Sequence, residues 1–210
     1  MKYFLALPLS SFVRRELTRI CLPLHAKADG IRWSSPSRYH ITLRYFGVLE
    51  LAGLNELLRR IDQQMCTFPT VQLSFRGLGV FGTEKPRVLF AKVHGELSPL
   101  EDWLCRLNAD LREQFGPSWS PATPAWVPHV TLARARQRQG AADLQQIAET
   151  AKCEIQAQSV DEVHFLASGQ ARSQTDYTLI RKFALRAPHM GDTRLDKTSQ
   201  GRQVSDPFLE

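Results

Sequence analysis

Two tetrapeptides decide how this sequence reads: His40-Ile41-Thr42-Leu43 and His129-Val130-Thr131-Leu132. They share three identities and a β-branched aliphatic at the second place, and 129 minus 40 sets them 89 residues apart. Each follows a Pro-containing loop and lies in a stretch with strand character. Side chains alternate across a strand, so His40 and Thr42 take one face while Ile41 and Leu43 take the other. The same holds for His129 and Thr131 against Val130 and Leu132. Each tetrapeptide thus buries two aliphatics and presents an imidazole beside a hydroxyl. The repeat implies two related lobes, and two such strands facing one another would gather two imidazoles and two hydroxyls around one groove.

Outward from these motifs, strands and helices interleave. Strands are expected at Tyr3–Leu7, Ile31–Trp33, Tyr39–Phe46, Val71–Phe75 and Arg87–Val93. Further strands are expected at Val130–Ala133, Glu154–Ser159, Glu162–Ala167 and Tyr177–Leu185. Helical spacing covers Ser10–Leu22, which Pro23 stops, then Leu51–Cys66, Pro99–Phe115 and about Ala141–Ala151. Gly116–Pro128 reads as a Pro-rich loop. Short links between strand pairs favour an α+β arrangement over a doubly wound parallel sheet. Residues 1–186 read as one bilobal domain, and the polar stretch 187–210 as a disordered tail.

The chain has 210 residues, 43% of them hydrophobic and 23% charged, values of a soluble globular protein. Its 27 Lys and Arg against 21 Asp and Glu give a formal charge of +6 and a pI near 9.4, which suits an anionic partner. Cys21, Cys66, Cys105 and Cys153 form no C-x-x-C pair, so they read as buried thiols in a reducing compartment rather than zinc ligands. No apolar run approaches the ~18 residues of a membrane helix. The expected setting is the cytoplasm, with no membrane partner.

The paired residues suit phosphodiester cleavage. One neutral imidazole can take a proton from water while the other, protonated, gives one to the departing oxygen. Negative charge growing on the phosphoryl oxygens would meet the hydroxyls of Thr42 and Thr131. Arg134 is a further candidate for binding that charge, although regular alternation puts it on the Leu132 face unless the strand bends.

At these residues the sequence resembles the LigT-like RNA 2',3'-cyclic phosphodiesterases, historically called 2'-5' RNA ligases, within the two-histidine phosphoesterase superfamily. The likeness extends through Tyr3-Phe4-Leu5-Ala6-Leu7-Pro8, Ile31-Arg32-Trp33, and Tyr39 to Gly47 around the first motif. It continues through Gly77 to Phe81, Pro86 to Phe90, and Pro128 to Arg134 around the second. Tyr45 departs from the commoner Phe. The resemblance implies two pseudo-symmetric lobes of antiparallel sheet and helices around a central cleft. It implies hydrolysis of a terminal 2',3'-cyclic phosphate to a 2'-phosphate, with His40 as proton donor and His129 as proton acceptor. A minor reverse activity would join RNA ends through a 2'-5' bond. The expected enzyme works as a monomer without metal or other cofactor, on RNA ends or cyclic nucleotides.

Two other readings remain open: a phosphodiesterase for another cyclic phosphate or a 2'-5' oligonucleotide, and a non-catalytic RNA-binding module. Gly77-Leu78-Gly79-Val80-Phe81-Gly82 satisfies the dinucleotide fingerprint G-x-G-x-x-G but fails on context, since turn and strand rather than a helix follow it. His25, His94, His164 and His189 read as ordinary polar residues. Trp103 reads as core, whereas Trp119 and Trp126 are candidates for lining the groove.

Overall fold

The computed structural model describes residues 1–27, 30–65, 68, 70–82, 85–116, 119, 126–136, 138–169 and 177–185. The expected tail at 187–210, most of the Pro-rich loop and Cys66 lie outside them.

Among the described residues, nine strands and four α-helices follow the expected order: β1 (Lys2–Pro8), α1 (Ser11–Cys21), β2 (Ile31–Trp33), β3 (His40–Val48), α2 (Leu51–Met65), β4 (Val71–Phe81), β5 (Val88–Gly95), α3 (Ser98–Phe115), β6 (His129–Ala135), α4 (Arg138–Thr150), β7 (Glu154–Val160), β8 (Glu162–Ser168) and β9 (Thr178–Ala184). Local chemistry sets several boundaries. The Ser10 hydroxyl caps α1 by accepting from the Val13 amide at 3.2 Å. Pro23 follows α1 within a 3-10 turn, Leu22–Lys27.

The strands form one antiparallel sheet in the order β7-β4-β5-β6-β3-β1-β8-β9, with β2 added to β6. Its two halves, β3-β1-β8-β9 and β6-β5-β4-β7, are the two lobes. They meet where β3 and β6 pair through Ile41 and Val130. The first lobe combines strands from both ends of the described chain.

All four helices pack against one face. Leu17, Leu57, Ile61, Trp103, Leu107 and Leu144 join Leu5, Leu7, Ile41, Phe75, Leu89, Val130 and Leu132 in a single buried cluster. Fully burying each such side chain contributes about 1.5–3 kcal/mol, so the aliphatic halves of both motifs anchor their strands to the helix layer. The polar halves consequently face the other way.

β4 runs six residues past the expected end at Phe75. The Gly77–Phe81 segment lies within the strand, pairs with β5 from Leu78 onward, and begins with Gly77 at a φ of +77° beside a register shift. The dinucleotide fingerprint is therefore a bulged strand. Cys21 and Cys153 are buried thiols as expected, but Cys105 is exposed because it lies on the solvent side of α3.

Candidate active site

Antiparallel pairing centred on Ile41 and Val130 sets His40 toward Thr131 and His129 toward Thr42, a local pseudo-twofold relation. All four side chains line one cavity of about 550 Å³. The two strands also bend alike. β3 bulges at Leu43–Arg44 where it pairs with β1, and the β5–β6 register shifts between Thr131 and Ala133. In each, the two residues before the fifth position after the histidine are both buried. The bend returns Tyr45 and Arg134 to the histidine face, and both line the cavity. Arg134 thus reaches the site through the bend that regular alternation lacked.

Each imidazole is held in the same manner. His40 Nδ1–H donates to the Arg38 carbonyl at 2.7 Å, and His129 Nδ1–H to the Val127 carbonyl at 2.7 Å. These bonds fix the tautomer and leave each neutral Nε2 as an acceptor. The Thr42 hydroxyl donates to His40 Nε2 at 3.0 Å. Aromatic rings brace both imidazoles. Phe4 and Tyr177 flank His40 with ring centroids 5.2 and 5.1 Å away. Phe81 and Phe90, stacked 4.3 Å apart, flank His129 at 4.8 and 5.3 Å.

This setting disfavours protonation of both rings. Burial pushes the His40 pKa down to about 4, helped by the charges of His129 and Arg38 and opposed by the Arg38 carbonyl. Burial also lowers the His129 pKa, with a contribution from Arg134 and opposition from the Val127 carbonyl.

Two guanidinium groups not anticipated from the sequence complete the cavity. Arg32 is the cross-strand partner of Arg134, and both line the wall. Arg38 ends the 3-10 turn Pro36–Arg38, two residues before His40, and donates to the Tyr177 hydroxyl at 3.2 Å. Ser34, Ser35, Ser37, Ser168 and Trp33 are also in the wall, and no carboxylate is among the described lining residues. Three guanidinium groups with no acidic partner among the described residues, around two imidazoles, make a site for an anion.

Trp119 and Trp126 do not line the cavity. Trp119 packs against Phe115 and the core, and the Trp126 indole donates to the Thr42 carbonyl at 2.9 Å. Arg44, on the buried side of β3, donates to Asn108 Oδ1 and to the Trp119 carbonyl. Burial lowers its pKa to about 10. Together these bonds tie the segment leading into the second motif to the strand carrying the first. Among the described residues no group of three His, Cys, Asp or Glu side chains could hold a metal ion.

The sequence model of the 2'-5' RNA ligase superfamily matches residues 17–172. The chain belongs to this superfamily. Among its relatives, an RNA 2',3'-cyclic phosphodiesterase of Methanothermobacter thermautotrophicus is 26% identical over 188 residues, covering 88% of this chain and 99% of the relative. One of Thermotoga maritima is 24% identical over 137 residues, covering 65% and 71%. A crystal structure of a Thermus thermophilus protein superposes with a TM-score of 0.74 at 25% identity, covering 90% of this chain and all of that one. The bilobal α+β fold is therefore that of the superfamily. No described helix is long and apolar enough to cross a membrane.

Proposed function

We propose that this protein hydrolyses terminal 2',3'-cyclic phosphates on RNA to 2'-phosphates. The observation that carries the reading is the convergence of two tautomer-fixed imidazoles with Arg32, Arg38 and Arg134 in one cavity whose described lining has no carboxylate. Relatives named RNA 2',3'-cyclic phosphodiesterase support the choice of substrate.

In the proposed reaction the guanidinium groups and the Thr42 and Thr131 hydroxyls hold the phosphoryl oxygens, where charge accumulates as phosphorus becomes five-coordinate. His129 Nε2 takes a proton from water as its oxygen bonds to phosphorus. The P–O3' bond breaks, and His40 delivers a proton to the departing 3' oxygen. His40 takes up the proton it needs from solvent as the substrate binds, because a phosphate anion between the rings favours imidazolium and offsets the burial that favours the neutral ring. When a 5'-hydroxyl replaces water, the same proton transfers form a 2'-5' phosphodiester, a minor reaction in an aqueous site.

The test is incubation of an RNA oligonucleotide ending in a 2',3'-cyclic phosphate, with chromatographic separation of the 2'- and 3'-phosphate products. A 2'-phosphate product, made at an unchanged rate in EDTA and lost by roughly 10²–10⁴-fold in His40→Ala and in His129→Ala, is expected. RNA binding without any product would replace this reading with that of a binding module. Turnover restricted to 2'-5' oligonucleotides or to another cyclic phosphate would change the substrate class.

A further inference from the structure

Gly77 and Gly79, the first two glycines of the rejected fingerprint, leave a bare strip of β4 backbone over which two β5 side chains lie. A Cβ at Gly79 would stand 2.7 Å from Phe90 Cζ and 3.1 Å from Lys92 Cε, and one at Gly77 would stand 3.9 Å from Lys92 Cδ. The missing side chains thus form a trough that seats the Lys92 stem and leaves its ammonium outside. Lys92 is the direct cross-strand partner of His129. Directly opposed residues of an antiparallel pair project from the same side of the sheet, with Cβ atoms about 5 Å apart. Lys92 is exposed, is absent from the cavity wall, and has no hydrogen-bond or ion-pair partner among the described residues.

We propose that Lys92 is a second phosphate subsite, which takes the phosphodiester linking the terminal nucleotide of an RNA strand to its 5' neighbour. The enzyme accordingly favours an oligonucleotide end over a mononucleotide cyclic phosphate. This inference rests on the cyclic phosphodiesterase reading of the cavity.

The matching path across the first lobe is less suited to a polyanion. Thr42, Ala6, His164 and Lys182 form one cross-strand row there. Its two basic groups share one carboxylate, with Glu162 2.7 Å from His164 and 3.3 Å from Lys182. Phe4, Ala6 and Leu166, packed with Tyr177, occupy the ground between them and the histidines. A phosphate would have to compete with Glu162 on that side, whereas it meets Lys92 without a rival. Farther along the Lys92 path, His94 bonds the Arg76 carbonyl at 3.1 Å, and Arg76 faces Glu154 at 3.6 Å, so among the described residues of this path the unpaired cation lies next to His129 rather than beyond it.

The experiment compares kcat/KM for a mononucleotide 2',3'-cyclic phosphate and for a trinucleotide with the same end, using the full chain and Lys92→Gln over a range of salt. The unaltered protein should prefer the trinucleotide. Lys92→Gln should lower trinucleotide kcat/KM about five- to tenfold, mainly through KM, and reduce its salt slope by about 0.7, the value for one single-stranded phosphate contact. Mononucleotide turnover should stay within about twofold, which also shows that the variant is folded. Equal loss on both substrates, or loss on neither, would overturn the subsite. So would a trinucleotide-specific loss in Lys182→Gln alone, which would route the strand over the first lobe. Turnover of neither substrate by the unaltered protein would instead overturn the reading of the cavity, and the subsite with it.

Discussion

Tyr45 and Arg134 occupy equivalent places in the two motif strands: each lies five residues after its histidine, just past a bend, and each lines the cavity. The pseudo-symmetric frame thus delivers an aromatic on one side and a cation on the other. A hydrogen bond to a charged group is worth about 1.5–3 kcal/mol, so Arg134→Ala should lower kcat/KM by roughly ten- to a hundredfold. Tyr45→Phe, which keeps the ring, should leave it within about threefold. Steady-state kinetics on a cyclic-phosphate substrate checks both.

The pH dependence of the free protein follows from the two depressed imidazoles. The proposed reaction needs one protonated and one neutral ring, and the singly protonated protein is most populated between the pair's two pKa values. Because His40 is the more depressed, that proton sits mainly on His129, and the working form with His40 protonated is the minor tautomer with the same pH dependence. The lower is that of His40, at about 4. The upper is that of His129, which burial holds below its ordinary 6.5. The kcat/KM profile should therefore be a bell whose alkaline limb falls below pH 6.5. Bound phosphate favours imidazolium, so the kcat profile should move to higher pH. An alkaline limb of kcat/KM above pH 7 would contradict this.

The assignment of acid and base is separable by changing the leaving atom. A substrate with sulfur in place of the 3' oxygen leaves as a thiolate, which needs no proton because a thiol is far more acidic than an alcohol. His40→Ala should regain most of its lost rate on that substrate, and His129→Ala should not. Recovery by the His129 variant alone would exchange the roles.

Gly79→Ala should act on His129 without touching it. The new methyl meets the Phe90 ring at 2.7 Å, and the displaced ring withdraws one of the two aromatic braces of His129. Overpacking of this kind costs about 1–3 kcal/mol of stability, readable as a lower urea midpoint. The functional signature should be a fall in kcat larger than any change in KM, together with a shifted alkaline limb. A stability loss with an unchanged pH profile would show that Gly79 serves packing alone.

The motifs were legible because each pairs an anchoring aliphatic with a presented polar group at strand period, and a 2.0-residue repeat needs no tertiary knowledge. Arg134 could be placed only conditionally, since its position depends on a bulge that no local residue preference announces. Arg32 was hidden by distance in sequence: it joins the site only because β2 pairs with β6, about a hundred residues away. Tyr177 enters from a third region for the same reason. Arg38 was hidden because it lies outside β3, in the 3-10 turn Pro36–Arg38 that brings it to the cavity wall. β4 was read too short because glycine disfavours strands, and the gain that overrides this preference, room for Phe90 and Lys92, belongs to the neighbouring strand.

The first lobe draws β8 and β9 from the far end of the described chain, which gives the protein a timetable during its own synthesis. Tyr177, which flanks the His40 ring, is added 137 residues after it (177 minus 40). At about 5–20 residues per second this is a wait of roughly 7–30 s. Through that interval β1 lacks its β8 neighbour, and Phe4 and Ala6 stand uncovered beside an unpaired strand edge. The nascent chain should be a client of holding chaperones until its last strands close the sheet.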